Sequence, residues 1–131
     1  MAEPSLRPRR YSPWFNLSLA NLPLPGLVSI FHRLSGAGLF LLLALLFYVL
    51  DQSLASADGY ANARTMLGHP LMKLIMLGLV WSYCHHFCAG IRYLMLDMHK
   101  GIDLPTARKT SVAVFVVSLI LTVILAAAVI W

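Results

Sequence analysis

Two adjacent histidines lie inside a long apolar stretch of this chain. His85 and His86 fall within residues 74–91, an interval without Asp, Glu, Lys or Arg. A histidine at the depth of membrane hydrocarbon is energetically unfavourable, and it usually marks a metal ligand, a proton relay or a buried hydrogen bond. On a helix, Ser82 and Gly90 lie one turn before and one turn after His86. These small residues leave room for a flat, wide group to approach the imidazole, and a haem has that shape.

The residues alone allow two interpretations of His86, a haem iron ligand or an interhelical hydrogen bond. Imidazole binds iron through one nitrogen while an acceptor orients the other. One histidine cannot supply both axial ligands of a low-spin b-type haem, and His85 points about 100° away around the helix. A haem at His86 therefore needs its second ligand from a partner chain.

A second polar group lies near the start of the first apolar stretch. Ser29 and Arg33 are four residues apart and share one helix face. A hydroxyl and a guanidinium at a membrane interface suit a ligand with carbonyl or carboxylate oxygens and an apolar tail, such as a quinone. In the alternative, Arg33 extends to lipid phosphates and Ser29 bonds a carbonyl of its own helix. The spacing leaves both interpretations open.

The composition excludes an ordinary soluble domain. Of the 131 residues, 60% are hydrophobic and only 11% charged, whereas soluble domains have about half and about a quarter. The net charge of +5 comes from basic residues that flank apolar runs, without an aromatic-interleaved basic patch, so nucleic acid is not a predicted partner. Cys84 and Cys88 are four residues apart, which favours packing rather than a disulfide or a zinc site.

The order of apolar runs predicts an all-α membrane protein with three transmembrane helices. Residues 1–26 are rich in Pro and Arg and predict a cytoplasmic arm at the membrane surface. Residues 27–131 form the predicted transmembrane domain, with helices at about 27–50, 70–98 and 106–131.

Particular residues set the expected helix ends. Asp51 is expected to close the first helix, and Pro70 is well placed as the first residue of the second. The connector predicts a short amphipathic turn over residues 61–67. The third helix has no ionisable group after Lys109 and is expected to pack and anchor.

Basic residues predict the orientation in the membrane. They concentrate in the arm and at the start of the first helix, and around the loop that follows the second helix, at Arg7, Arg9, Arg10, Arg33, Arg92, Lys100, Arg108 and Lys109. The positive-inside rule then places the N-terminus in the cytoplasm and the C-terminus in the periplasm. The N-terminal segment lacks the apolar core of a secretory signal, which favours a multi-pass protein of a bacterial inner membrane.

Two motifs resemble those of a known family. Residues 29–36, SIFHRLSG, resemble the S-I-x-H-R-x-[ST]-G motif of the succinate dehydrogenase cytochrome b subunit, the larger membrane anchor of respiratory complex II. Residues 86–92 with Asp97 resemble its second motif, H-x-x-x-G-I-R-H-x-x-x-D. Tyr93 stands where that motif has its second histidine. The similarity covers nearly the whole chain.

The resemblance implies roles for four residues. His86 falls on the axial ligand of a b-type haem, whose other histidine comes from a second, small anchor subunit. Ser29 and Arg33 fall on positions that line the ubiquinone pocket, next to the iron–sulfur subunit. His32 falls near the haem propionates and that pocket.

The implied function is that of an anchor subunit in a succinate:quinone oxidoreductase. The chain is expected to hold the iron–sulfur and flavoprotein subunits at the membrane, to share the haem, and to help form the ubiquinone-reduction site. By itself it lacks a flavin motif and a cysteine set for clusters, so it is not expected to oxidise succinate alone.

Three alternatives stay open at this point. One is a haem-free structural anchor, and another is the anchor of a related fumarate reductase, which would use menaquinone. The third is a small transporter with a path through His85, His86 and Arg92, against which stand the lack of an internal repeat and the odd number of spans.

Overall fold

The structure, a computed structural model, describes residues 22–130, and these fold into four α-helices. They are α1 (Leu24–Ala55), α2 (Ala57–Gly68), α3 (Pro70–Asp97) and α4 (Leu104–Val129). Three of them, α1, α3 and α4, are long and apolar enough to cross a membrane. This confirms the predicted all-α, three-span architecture. Of the predicted arm, residues 1–21 lie outside the part of the chain that the structure describes.

Proline occupies the first turn of each spanning helix, at Pro25, Pro70 and Pro105. It is tolerated there because the first N–H groups of a helix have no acceptor within the helix. The predicted start of the second span at Pro70 is confirmed. At the start of α4, Asp103 Oδ2 accepts a hydrogen bond from the Thr106 backbone N–H at 3.0 Å. Hydrogen bonds from the Thr106 side chain and backbone lower the pKa of the Asp103 carboxyl.

The connector between the first two spans is more helical than the sequence predicts. α1 continues past Asp51 to Ala55, and α2 extends beyond the expected turn over residues 61–67. Nothing between Asp51 and Ala55 breaks a helix. The break comes at Ser56, whose extended backbone ends α1 and whose hydroxyl accepts from the Gly59 N–H at 2.9 Å, which caps α2.

The α4 helix packs on α3 and α1 through a stripe of small and β-branched residues. The buried members follow one another at intervals of three or four residues, at Ser111, Val114, Ser118, Thr122 and Ala126. Small residues let transmembrane helices approach closely. The three hydroxyls each donate to a carbonyl of their own helix, so none is left unpaired inside the bundle.

The start of α1 and the end of α3 lie side by side. The His32 and Tyr93 ring centroids are 5.0 Å apart, although the residues are far apart in sequence. The polar residues at the start of α1 therefore lie at the same end of the bundle as those at the end of α3. This end positions the candidate site.

Candidate functional site

His86 projects from α3 onto the backbone of α1. Its Nδ1 lies 3.0 Å from the His32 carbonyl oxygen and 3.4 Å from Ser35 Oγ. Ser35 Oγ donates its own hydrogen to the same carbonyl at 3.0 Å. Because a carbonyl oxygen can only accept, the hydrogen of the neutral imidazole lies on Nδ1. The lone pair is then on Nε2, which makes no hydrogen bond with any residue that the structure describes.

The ring of His86 approaches α1 closely because residue 36 has no side chain. A Cβ at Gly36 would lie 2.7 Å from His86 Cε1, closer than real Cβ contacts allow. Any other residue at position 36 would therefore displace the imidazole. Gly36 and Ser35 together fix where the ring lies and which nitrogen it presents.

The imidazole of His32 lies flat against that of His86. Their centroids are 4.2 Å apart and their planes differ by 8°, and the other neighbour of His32 is the tilted ring of Tyr93. The sequence predicts open space beside Gly90, but the nearest atom to a Cβ there would be His32 Nε2, at 3.8 Å. The flat group next to Gly90 is thus the His32 ring.

His85 has different surroundings. Its side chain is fully buried among aromatic rings, with centroid distances of 5.3 Å to Trp81, 5.2 Å to Phe115 and 5.9 Å to Phe31. Among the residues that the structure describes, neither ring nitrogen has a hydrogen bond of normal geometry, although the Val28 backbone is close enough for a weak interaction. This histidine is closed off from any ligand outside the chain.

Ser29 and Arg33 lie on the same stretch of α1 but apart from the histidine pair. Ser29 is half-buried and Arg33 is exposed. Within the described part of the chain, neither side chain makes a hydrogen bond or an ion pair. The alternative in which Ser29 bonds its own helix is therefore not realised. Among the residues that the structure describes, the side chains of Ser29 and Arg33 thus have no hydrogen-bonding or charged partner.

Sequence reasoning missed the parts that Ser35 and Gly36 play. They stand three and four residues after His32, which places all three on one face of α1. Both residues are in the first motif, so the spacing pointed to a shared face. The spacing did not indicate that this face of α1 packs against His86 of α3.

Comparison with known proteins adds to this geometry. Residues 7–125 match the model of a family described as succinate dehydrogenase/fumarate reductase transmembrane subunit. The chain belongs to this family.

Individual relatives agree with that assignment. The succinate dehydrogenase cytochrome b556 subunit of Coxiella burnetii is 36% identical over 119 residues, which are 88% of this chain and 94% of the relative. The cytochrome b556 subunit of Paracoccus denitrificans is 30% identical over 124 residues, with coverages of 95% and 94%. The mitochondrial cytochrome b560 subunit of Bos taurus is 29% identical over 116 residues, with coverages of 86% and 68%.

Family membership and the three spans together define the general role. The chain is a membrane-anchor cytochrome b subunit of succinate dehydrogenase, a multi-pass protein of a bacterial inner membrane. As such it has partner subunits within the complex. The predicted class of protein and its location are confirmed.

Proposed function

We propose that this subunit binds a b-type haem through His86 and forms part of the ubiquinone-reduction site with Ser29 and Arg33. The observation that supports the haem most strongly is the environment of the His86 ring. Its Nδ1–H is held by a backbone carbonyl, while Nε2 is left with its lone pair and no partner in the described chain.

The residues fit a haem ligand in their chemistry. A histidine that binds a metal through one ring nitrogen commonly donates the N–H of the other nitrogen to a carbonyl. This hydrogen bond fixes the tautomer and makes the ring a stronger electron donor to the metal. The second axial histidine comes, in this proposal, from a small partner anchor subunit. When bound, a b-type haem supplies a one-electron carrier.

His32 has a supporting role in this proposal. Its backbone carbonyl orients His86, and its ring stacks on the ligand ring. The nitrogens of the His32 ring have no hydrogen bond among the described residues. They are therefore available to a haem propionate or to the quinone pocket, as the family resemblance implies.

Ser29 and Arg33 supply the donors that a quinone needs. Reduction of ubiquinone to ubiquinol adds two electrons and two protons, so negative charge develops on the carbonyl oxygens. A hydroxyl and a guanidinium donate hydrogen bonds to those oxygens, and the positive charge of Arg33 stabilises the developing charge. The electrons arrive from the iron–sulfur subunit, which receives them from the flavoprotein that oxidises succinate.

The proposed orientation is consistent with this electron path. With the N-terminus in the cytoplasm, the start of α1 and the end of α3 face the cytoplasm. Peripheral succinate-oxidising subunits on that side would lie next to Arg33.

Arg33→Ala tests the quinone site. We expect quinone reduction by the assembled complex to fall by about 100-fold, the usual effect of removing a donor that stabilises developing charge. The haem spectrum and subunit composition should stay unchanged. Arg108→Ala is the matched control, because Arg108 is an exposed arginine on α4, at the same end of the bundle. Normal quinone reduction in an assembled Arg33→Ala complex would disprove the assignment.

A further inference from the structure

A groove between α3 and α4 opens on a face of the bundle that the proposed function does not use. It is a cavity of about 330 Å³ whose wall is mostly apolar, with Ile91, Met95, Val114 and Val117 among the lining residues. Arg92 and Lys100 also line it. An apolar groove with two cations at one end is shaped for an amphiphile with a negative head.

Arg92 is an unusual residue for the inside of a membrane bundle. Only 6% of its surface is exposed, and its Nε donates to Thr110 Oγ1 on α4 at 3.2 Å. Its guanidinium also lies 5.6 Å from the centroid of the Tyr93 ring. No carboxylate of the described chain pairs with it. A buried charge needs a counter-charge, because desolvation without one is strongly unfavourable.

Arg92 faces away from the side of α3 on which His86 lies. Arg92 follows His86 by six residues, which rotates it by about 120° around α3. His86 contacts α1, whereas Arg92 contacts α4. A ligand at Arg92 is therefore distinct from a haem at His86.

The position along the helix points to the headgroup layer. Arg92 lies five residues before the end of α3, about 8 Å along the axis, and Lys100 lies in the turn that follows. This end of α3 and α4 carries four cations against two carboxylates, namely Arg92, Lys100, Arg108 and Lys109 against Asp97 and Asp103. Basic pockets between transmembrane helices bind anionic lipid headgroups on the cytoplasmic side, which is where the proposed orientation places this end of the bundle.

We propose that the α3–α4 groove binds an anionic phospholipid. Its phosphate is held by Arg92 and Lys100, and an acyl chain runs along the apolar wall past Val114 and Val117. Thr110 positions the Arg92 guanidinium through the Nε hydrogen bond. The site does not depend on the haem or the quinone.

The test is a lipid titration of the purified, delipidated complex, followed by its melting temperature and by native mass spectrometry. Phosphatidylglycerol should bind and raise the melting temperature, whereas phosphatidylcholine at the same concentration should have little effect. Lys100→Gln should weaken phosphatidylglycerol binding about fivefold. Lys109→Gln is the matched control, because it removes the same charge at the same end of the bundle from a residue that does not line the groove.

Two further variants examine the buried cation itself. Arg92→Gln should abolish selective binding of phosphatidylglycerol. Thr110→Val keeps the charge of Arg92 but removes the hydroxyl that orients its guanidinium, so it should weaken phosphatidylglycerol binding. This variant serves as the test if the Arg92→Gln complex does not assemble.

Several outcomes would overturn the proposal. One is equal stabilisation by the two lipids, and another is equal loss of binding in Lys100→Gln and Lys109→Gln. A third is full stabilisation by inorganic phosphate alone, which would indicate a free anion rather than a lipid. Parent-like lipid affinity in an assembled Thr110→Val or Arg92→Gln complex would also contradict the proposal. That result is expected if a partner subunit, rather than a lipid, covers the groove.

Discussion

His85 and His86 are adjacent in sequence and lie in opposite environments. The ring of His86 meets a backbone carbonyl, a hydroxyl and a glycine of α1. The ring of His85 is enclosed by three aromatic side chains, and neither of its nitrogens has a normal hydrogen bond within the described part of the chain. The two side chains differ by one residue, or about 100° around α3. The imidazole of His86 is oriented by a hydrogen bond, whereas that of His85 is packed among aromatic rings.

The difference shows that the opposite helix decides what an intramembrane histidine can do. The two residues have the same side chain and almost the same depth. Among the described residues, only His86 has a normal hydrogen bond to a backbone carbonyl, which fixes its tautomer, and a glycine that admits its ring. A ligand histidine in this bundle is therefore defined by Ser35, Gly36 and the His32 carbonyl as much as by itself.

Apart from removal of His86 itself, Gly36→Ala should have the largest effect on the ring position that distinguishes His86 from His85. The added methyl group would meet His86 Cε1, so the ring must leave the His32 carbonyl while the helices stay packed. We expect the haem content of the complex to fall to a small fraction of the parent value, measured by pyridine haemochrome. Gly38→Ala is the control, since a Cβ there meets nothing within 4 Å. Equal haem content in both variants would show that ring placement is not set by residue 36.

Ser35→Ala should have an intermediate effect. It removes the oxygen that lies 3.4 Å from His86 Nδ1, which leaves the imidazole a weaker electron donor to a bound iron. Haem should be retained and its midpoint potential should rise by at most about 40 mV, because one hydrogen bond contributes about 1 kcal/mol. Ser35→Thr keeps the hydroxyl and should keep the parent potential in a redox titration. An unchanged potential in the alanine variant would exclude Ser35 from orienting the ligand.

His85→Phe should have the smallest effect. It replaces a buried ring with two unpaired nitrogens by an apolar ring of similar shape, which is neutral or stabilising by about 1 kcal/mol. The melting temperature should stay the same or rise slightly, and the haem spectrum should not change. Loss of haem in this variant would mean that His85 has a function beyond packing.

The features that depend on residues close together in the chain, such as spans and helix starts, could be predicted from the sequence. The three spans follow from apolar runs, and the start of α3 follows from Pro70. His86 stood out because an imidazole is rare in such a run. The end of α1 was misplaced, since Asp51 alone does not stop a helix whose next capping residue is Ser56.

The site depends on contacts between distant residues, and there the sequence was less informative. The approach of His86 to Gly36 joins positions fifty residues apart, and no local pattern encodes it. The same holds for the stacking of His32 on His86, which fills the space that the sequence assigned to a ligand beside Gly90. The family motifs named most of the residues involved, but only the packing of α1 on α3 showed how they meet.

The most direct test of the central claim is a reduced-minus-oxidised absorbance spectrum of the purified complex with His86→Leu and, in parallel, with His85→Leu. We expect a sharp b-type signal in the parent complex that His86→Leu abolishes and His85→Leu retains. A b-type signal that survives His86→Leu, or that disappears only in His85→Leu, would contradict the assignment of His86 as the haem ligand.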